Sequence, residues 1–342
     1  MTEVLDRPRP RPSLARAEAR RLSSRRLVRV LLLLGVLGLL AVVGIASATA
    51  YARTTPERLA AAQVNIDEIV QQQNSFREQC LQDPGQLPPG LAPEQACGPV
   101  ATAEGYVPEE FLDKKPFVLA DGLPGGAVAV AGAVAALSYV LGATSIGAEW
   151  SSRSVVALLF WESRRSRVMA AKLAVLAGAV VVVSVVAQLL WTAAAYVMAA
   201  NLGSTGPLPD GFGGDVLGVQ ARGTLLAVLI AFLGFAVTNL ARNTGAALGV
   251  GFVYFAIVEN AVRAIRPAWQ PYLLADNAAA LLLKGGQTVF IYTGAFVDDQ
   301  GQFIDAPREV LLSNLHGGVV LGVITAVLVG TGVAVFARRD LA

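Results

Sequence analysis

Six apolar runs, each near the roughly 20 residues a helix needs to cross a hydrocarbon core, punctuate this 342-residue chain. They cover 27–51, 126–147, about 173–199, 224–241, about 245–262 and about 317–337. Several are rich in Gly and Ala, which lets membrane helices approach closely. The pattern predicts an all-α polytopic membrane protein with six transmembrane helices. Residues 1–26 form a basic tail and interfacial helix, 27–51 the first span and 52–125 a polar, partly helical insertion. The second span (126–147) leads to a charged segment at 148–172. The third to fifth spans occupy 173–262, a second polar segment 263–316, and the last span with the C-terminus 317–342.

Composition agrees. The chain is 54% hydrophobic and 15% charged, against about 25% charged in an average soluble domain. The net charge of +2 and the lack of a basic-aromatic cluster give no nucleic-acid signal. The placement of charge is more informative. Nine arginines precede position 30, and Arg153, Arg164, Arg165, Arg167 and Lys172 lie between the second and third runs. With Arg242, Arg338 and Arg339, 17 of the 27 basic residues fall on one side. Basic flanks face the cytoplasm, so both termini and 148–172 are expected there, in the cell membrane, with 52–125 and 263–316 outside. "ASATAYA" after the Arg-rich start has the form of a cleavage site, but the apolar run exceeds a signal-peptide core and favours an uncleaved anchor. The tail "RPRPRPSLARAEARRLSSRR" reads as a helix capped by Ser13 along anionic lipid headgroups, or as a disordered tail that only enforces topology.

In the first insertion, Thr55 and Pro56 form a helix start. Leu59, Ala62, Ile66, Ile69 and Phe76 then recur at helical spacing. Cys80 and Cys97 both fall here, where oxidation is permitted. A disulfide between them is expected, worth roughly 3 kcal/mol in the chain-entropy model; the alternative is two buried thiols. With no histidine nearby, a metal site is disfavoured. In 263–316, "NAAALLLKGG" predicts a short re-entrant or interfacial helix, and Trp269 and Tyr272 suit an interface. "VDDQGQFIDAP" reads as a turn or hairpin. Asp298, Asp299 and Asp305 lack a calcium-loop pattern.

No nucleotide-binding loop G-x-x-x-x-G-K-[ST] occurs, and the lone His316 has no nucleophile–base constellation around it. "LKGGQT" (283–288) superficially resembles an ATPase signature, but it lies in a polar external segment without accompanying motifs. Hence no cofactor, metal or catalytic residue is expected in this chain. Acids within spans are costly and often functional; Glu259 is the one such acid, beside Asn260 and four residues from Arg263. It reads either as an interfacial ion pair or, with Asn260, as a polar element lining a substrate path. Gln188, Trp191, Thr238 and Asn239 are candidates for lining or interhelical hydrogen bonds.

The segment "GAEWSSRSVVALLFWESRRSRVMAAK" (147–172) is too greasy for a loop and too charged for a span. Ser151 or Ser152 would cap a short helix with an apolar face of Val155, Leu158, Leu159 and Phe160, followed by a basic run. By itself this is a membrane-surface helix whose arginines could serve topology alone. The segment resembles the one that actinobacterial-type ABC exporter permeases of type 2 carry between their second and third spans. It matches at Gly147–Trp150, Leu158, Leu159, Trp161, Glu162, Arg164, Arg165, Arg167 and Lys172. It departs at Arg153-Ser154 and Ser163, where the family has Gly-Thr and Pro. "NLARNTGAALGVGF" (239–252) and "FARRDL" (336–341) extend the resemblance.

The resemblance implies an export permease without enzymatic activity of its own, and the Ala/Val/Gly-rich spans with few polar marks favour an amphipathic or apolar substrate. Two copies of a separate ABC ATPase, carrying ATP and Mg, would act on this chain and a second permease, identical or related. The segment would be the coupling helix, docking through Glu149, Arg153, Val155, Leu158, Leu159, Phe160, Glu162, Arg164 and Arg165. The competing expectation is a permease-like scaffold or sensor acting through its external insertion.

Overall fold

The computed structural model describes residues 14–82, 93–152, 154, 164–292, 296–297, 303–304 and 307–338. Six of its helices are long and apolar enough to cross a membrane. We number the helices α1 (Leu14–Ser24), α2 (Arg26–Thr49), α3 (Pro56–Gln82), α4 (Pro93–Ala96), α5 (Leu119–Ser151), α6 (Arg165–Leu202), α7 (Phe212–Ala241), α8 (Thr244–Ile265), α9 (Leu274–Leu282) and α10 (Asn314–Arg338). The six apolar runs fall in α2, α5, α6, α7, α8 and α10, and α5, α6 and α7 extend well past their runs. In α7 the polar positions that end the run are absorbed by pairing, Asp215 with Lys284 at 2.7 Å and Gln220 with Thr192 at 3.0 Å.

The chain divides into two compact units, one of Met1–Leu40, Leu123–Ala193 and Pro209–Ala342, the other of Ala41–Gly122 and Ala194–Leu208. In the first, α5 and α7 pack in parallel along a seam of small residues. A Cβ on Gly142 would lie 2.0 Å from the Ala231 carbonyl oxygen, and one on Gly234 would lie 2.3 Å from that of Tyr139. Only glycine permits backbones this close, the usual device for membrane helix association. α6 is stapled to α5 by Trp191 Nε1 donating to the Leu123 carbonyl at 3.0 Å and Gln188 Nε2 to that of Ala127 at 3.1 Å. Asn239 Nδ2 donates to the Gly332 carbonyl of α10 at 3.0 Å. Gln188, Trp191 and Asn239 thus form interhelical hydrogen bonds, and Thr238 is buried next to Asn239 in the chain.

The apolar core joins Leu226, Ile230 and Leu233 of α7 with Leu281 and Leu282 of α9 and Leu321 of α10. The predicted short helix at 277–286 is α9, and its last carbonyls are bound by Asn314 Nδ2. Strands β3 (Gln287–Ile291) and β6 (Arg308–Leu312) pair antiparallel, and inside them β4 (Phe296–Val297) pairs with β5 (Phe303–Ile304), giving the expected hairpin. Asp298, Asp299 and Asp305 lie outside the described residues.

In the second unit, α3 begins where Thr55 accepts the Arg58 N–H at 3.4 Å. Ala62 and Ile66 are buried as expected, but Phe76 is exposed. The inward stripe continues through Asn74 and Arg77, one helical position away from Phe76. Asn74 and Ala101 exchange two hydrogen bonds of 2.9 Å, and Arg77 Nε donates to the Gly98 carbonyl at 2.9 Å. Cys80 and Cys97 are joined by a disulfide across a Cα separation of 5.8 Å, within the usual range. Arg58 binds Asp113 and the Lys114 carbonyl, and β1 (Phe117–Val118) pairs parallel with β2 (Gly203–Ser204).

Candidate functional site

The second apolar run ends in α5 with Gly-Ala-Glu-Trp, and the third begins in α6 with a basic run. These two helix feet bound the charged segment, and each carries a buried ionisable side chain. Lys172 Nζ of α6 lies 2.7 Å from Glu149 Oε2 of α5 and donates to Oε1 at 2.8 Å. It also contacts Glu18 Oε2 of α1 at 2.9 Å. Arg25, at the break between α1 and α2, reaches Glu149 Oε1 at 3.0 Å and donates to the Thr144 and Ser145 carbonyls at 3.0 and 2.7 Å. Arg21 lies 3.4 Å from Glu18 and 3.9 Å from Glu149.

Glu18, Glu149 and Lys172 are all buried. Burying a charge is costly unless it is paired and hydrogen-bonded. Here two carboxylates meet three cations, so every charge has an opposite one in contact. The cluster therefore fixes α1 to both feet of the charged segment at once.

Trp150, next to Glu149, fixes the same foot to α7 and α10. Its Nε1 donates to Asn239 Oδ1 at 3.3 Å, Arg242 stacks 4.8 Å over its ring, and Phe336 meets it edge-on at 6.0 Å. Arg242 closes α7 in the left-handed region, φ 55°, its N–H bonded to the Thr238 carbonyl. Asn243 then caps α8 by accepting the Ala246 N–H at 3.0 Å. The motif at 239–252 is thus a tight helix–helix turn attached to Trp150.

Three of the residues expected at a docking contact, Glu149, Arg164 and Arg165, are among the described residues. Glu149 is buried in the ion cluster, where its carboxylate is held by Lys172 and Arg25. Arg165 Nη1 donates to the Phe336 and Ala337 carbonyls at 3.1 and 3.4 Å, where a cation suits the C-terminal end of α10. Arg164 is exposed at the foot of α6, its carbonyl accepting from Arg167 and Val168. Arg153, Val155, Leu158, Leu159, Phe160 and Glu162 lie outside the described residues.

Glu259 and Asn260 do not converge on a common path. Glu259 follows a π-helical segment, Tyr254–Val258, within α8, the kind of bulge that re-aims side chains. It is 1% exposed, and its Oε1 accepts the Ala275 N–H in the first turn of α9 at 2.9 Å. The Tyr254 hydroxyl accepts the Leu274 N–H at 3.4 Å. Arg263 lies 3.4 Å from Glu259 and 3.1 Å from Asp276. Together these groups cap the start of α9 on α8. Asn260 is exposed and donates to the Ala256 carbonyl of its own helix at 3.1 Å.

Sequence reasoning missed Glu18, Arg25 and Lys172 as one cluster, and Asp276 and Tyr254 as partners in the α9 cap. The available signal for Glu18 is its place as the single acid among the six arginines of residues 14–29. Among the described residues no group of three or more His, Cys, Asp or Glu could hold a metal ion.

The family model for an ABC-2 family transporter protein matches residues 13–341. The chain therefore belongs to the ABC-2 transporter family, as a multi-pass transport permease of the plasma membrane. Such a subunit is distinct from the ATPase, and family membership implies association with an ABC ATPase partner. No curated protein and no solved structure matches the chain.

Proposed function

We propose that this permease exports an amphipathic or apolar substrate from the cytoplasm, driven by ATP hydrolysis on two ATPase subunits docked at 148–172. The observation that carries this reading is the Glu149–Lys172 pair, with Glu18 and Arg25 behind it. The pair joins the two ends of the segment to each other and to α1, so a push on the segment moves α5 and α6 together. Both termini face the cytoplasm in this reading, as the charge bias requires. A second permease, identical or related, completes the path. The apolar lengths of α5 and α8, with few polar marks, favour an apolar or amphipathic cargo.

The test is reconstitution with an ABC ATPase in vesicles, following a fluorescent amphipathic dye. ATP-dependent movement away from the ATPase side supports export. Movement towards the ATPase side would overturn the direction, and lack of ATPase binding would favour the scaffold or sensor reading. A cysteine placed at the N-terminus and labelled with an impermeant reagent on intact cells tests the orientation: labelling from outside would contradict it.

A further inference from the structure

Beside the ion cluster, α1, α2, α5 and α6 leave an apolar groove of about 460 Å³. It is lined by Leu22 and Ser23 of α1, Val28 and Leu32 of α2, Leu141 of α5, and Gly178 and Val182 of α6. The walls are almost wholly apolar, and the volume is in the range of sites that take small organic ligands. The groove is open at Gly178: a Cβ built there meets nothing within 4 Å.

The α1 residues that line the groove belong to a basic segment. Residues 14–29 carry six arginines and one glutamate. Arg21 and Arg25 are committed to Glu18 and Glu149. Arg20 adjoins the lining residue Ala19 and Arg26 lies three residues after Ser23. Both are exposed, and among the described residues neither guanidinium has an ion pair or hydrogen bond. An apolar slot lined in part by a basic helix, with two uncommitted guanidiniums close in sequence to its lining residues, has the polarity of an anionic amphiphile.

We propose that this groove binds one anionic glycerophospholipid. An acyl chain lies along Leu32, Gly178 and Val182, and the phosphate is held by Arg20 and Arg26. The bound lipid fills the space between α2 and α6 and supports α1 next to its ion cluster. The proposal does not depend on export direction or on ATPase docking.

The experiment reads retained lipid by native mass spectrometry, after the permease is passed through nanodiscs of equal phosphatidylglycerol and phosphatidylcholine. The wild-type chain is expected to keep one phosphatidylglycerol in preference to phosphatidylcholine. Gly178→Phe, or Gly178→Leu if the larger ring disturbs folding, fills the groove and should abolish retention at an unchanged melting temperature. Arg20→Ala with Arg26→Ala leaves the slot but should lower the phosphatidylglycerol preference on the order of tenfold. Equal retention of the two lipids by the wild-type chain would overturn the proposal. So would undiminished phosphatidylglycerol retention by a folded Gly178 variant.

Discussion

Lys172 of α6 places its ammonium 2.7 Å from one carboxylate oxygen of Glu149 of α5 and 2.8 Å from the other, with both residues buried. The pair closes the two ends of the segment joining the second and third spans. Removing one partner strands the other charge, which costs about 3–5 kcal/mol for a buried pair. Lys172→Met should therefore lower stability by about that amount in detergent melts. Lys172→Met with Glu149→Gln should cost less than the sum of the two single changes. Additive single effects would mean that the pair is not coupled.

The α5–α7 seam has no room for a side chain at Gly142. Gly142→Leu forces the helices apart against the Ala231 carbonyl, so a large loss of folded yield is expected. Gly38, where a Cβ meets nothing within 4 Å, supplies the control: Gly38→Leu should be tolerated. Equal yields from the two variants would contradict the packing.

Glu259 is assigned to the capping of α9. Glu259→Gln keeps the shape but weakens the interaction with Arg263, and Glu259→Ala removes the acceptor of the Ala275 N–H. Hydrogen exchange at Ala275 should speed up in the alanine variant and much less in the glutamine variant. A transport defect in both, with exchange unchanged, would point instead to the substrate path.

In the second unit, the Arg58 hydrogen bond and then the Lys114 backbone hold the Asp113 carboxyl below its usual value of 3.8. A depressed folded-state pKa gives a contribution present above the unfolded value and lost as pH falls through the folded one. Acidification below about pH 4 should loosen the start of α3, seen as faster exchange there, and Asp113→Asn should remove this pH dependence. Asp113 is exposed, so the effect is local and reduced by salt.

Alkylation of the intact protein should label neither Cys80 nor Cys97 until reductant is added. Cys80→Ser should then release the chain between them, at a cost of roughly 3 kcal/mol to the second unit. Labelling before reduction would contradict the bridge.

Much of the architecture was legible in the sequence because run length and turn chemistry are local signals. Six apolar runs gave six helices, Thr55-Pro56 marked the start of α3, and two cysteines left one intramolecular pairing. Two kinds of feature were not legible. Glu18, Arg25, Glu149 and Lys172 come from separate elements, and each reads locally as a surface or topology charge; only packing shows that they neutralise one another. Phe76 fitted an apolar pattern, but polar Asn74 and Arg77 hold the returning chain and set the inward face one position away. Arg222 lay outside the fourth apolar run, yet α7 includes it, because a helix continues through polar positions wherever its backbone is hydrogen-bonded.

In the function we propose, the segment between Glu149 and Lys172 receives ATP-driven motion through the apolar positions Val155, Leu158, Leu159 and Phe160. The most direct measurement of this claim compares wild type with Leu158→Asp plus Leu159→Asp, reconstituted with the ABC ATPase and scored for ATPase co-purification and ATP-dependent transport. Loss of both, in a variant that keeps its melting temperature, is the result predicted. ATPase assembly and transport at wild-type levels would contradict it.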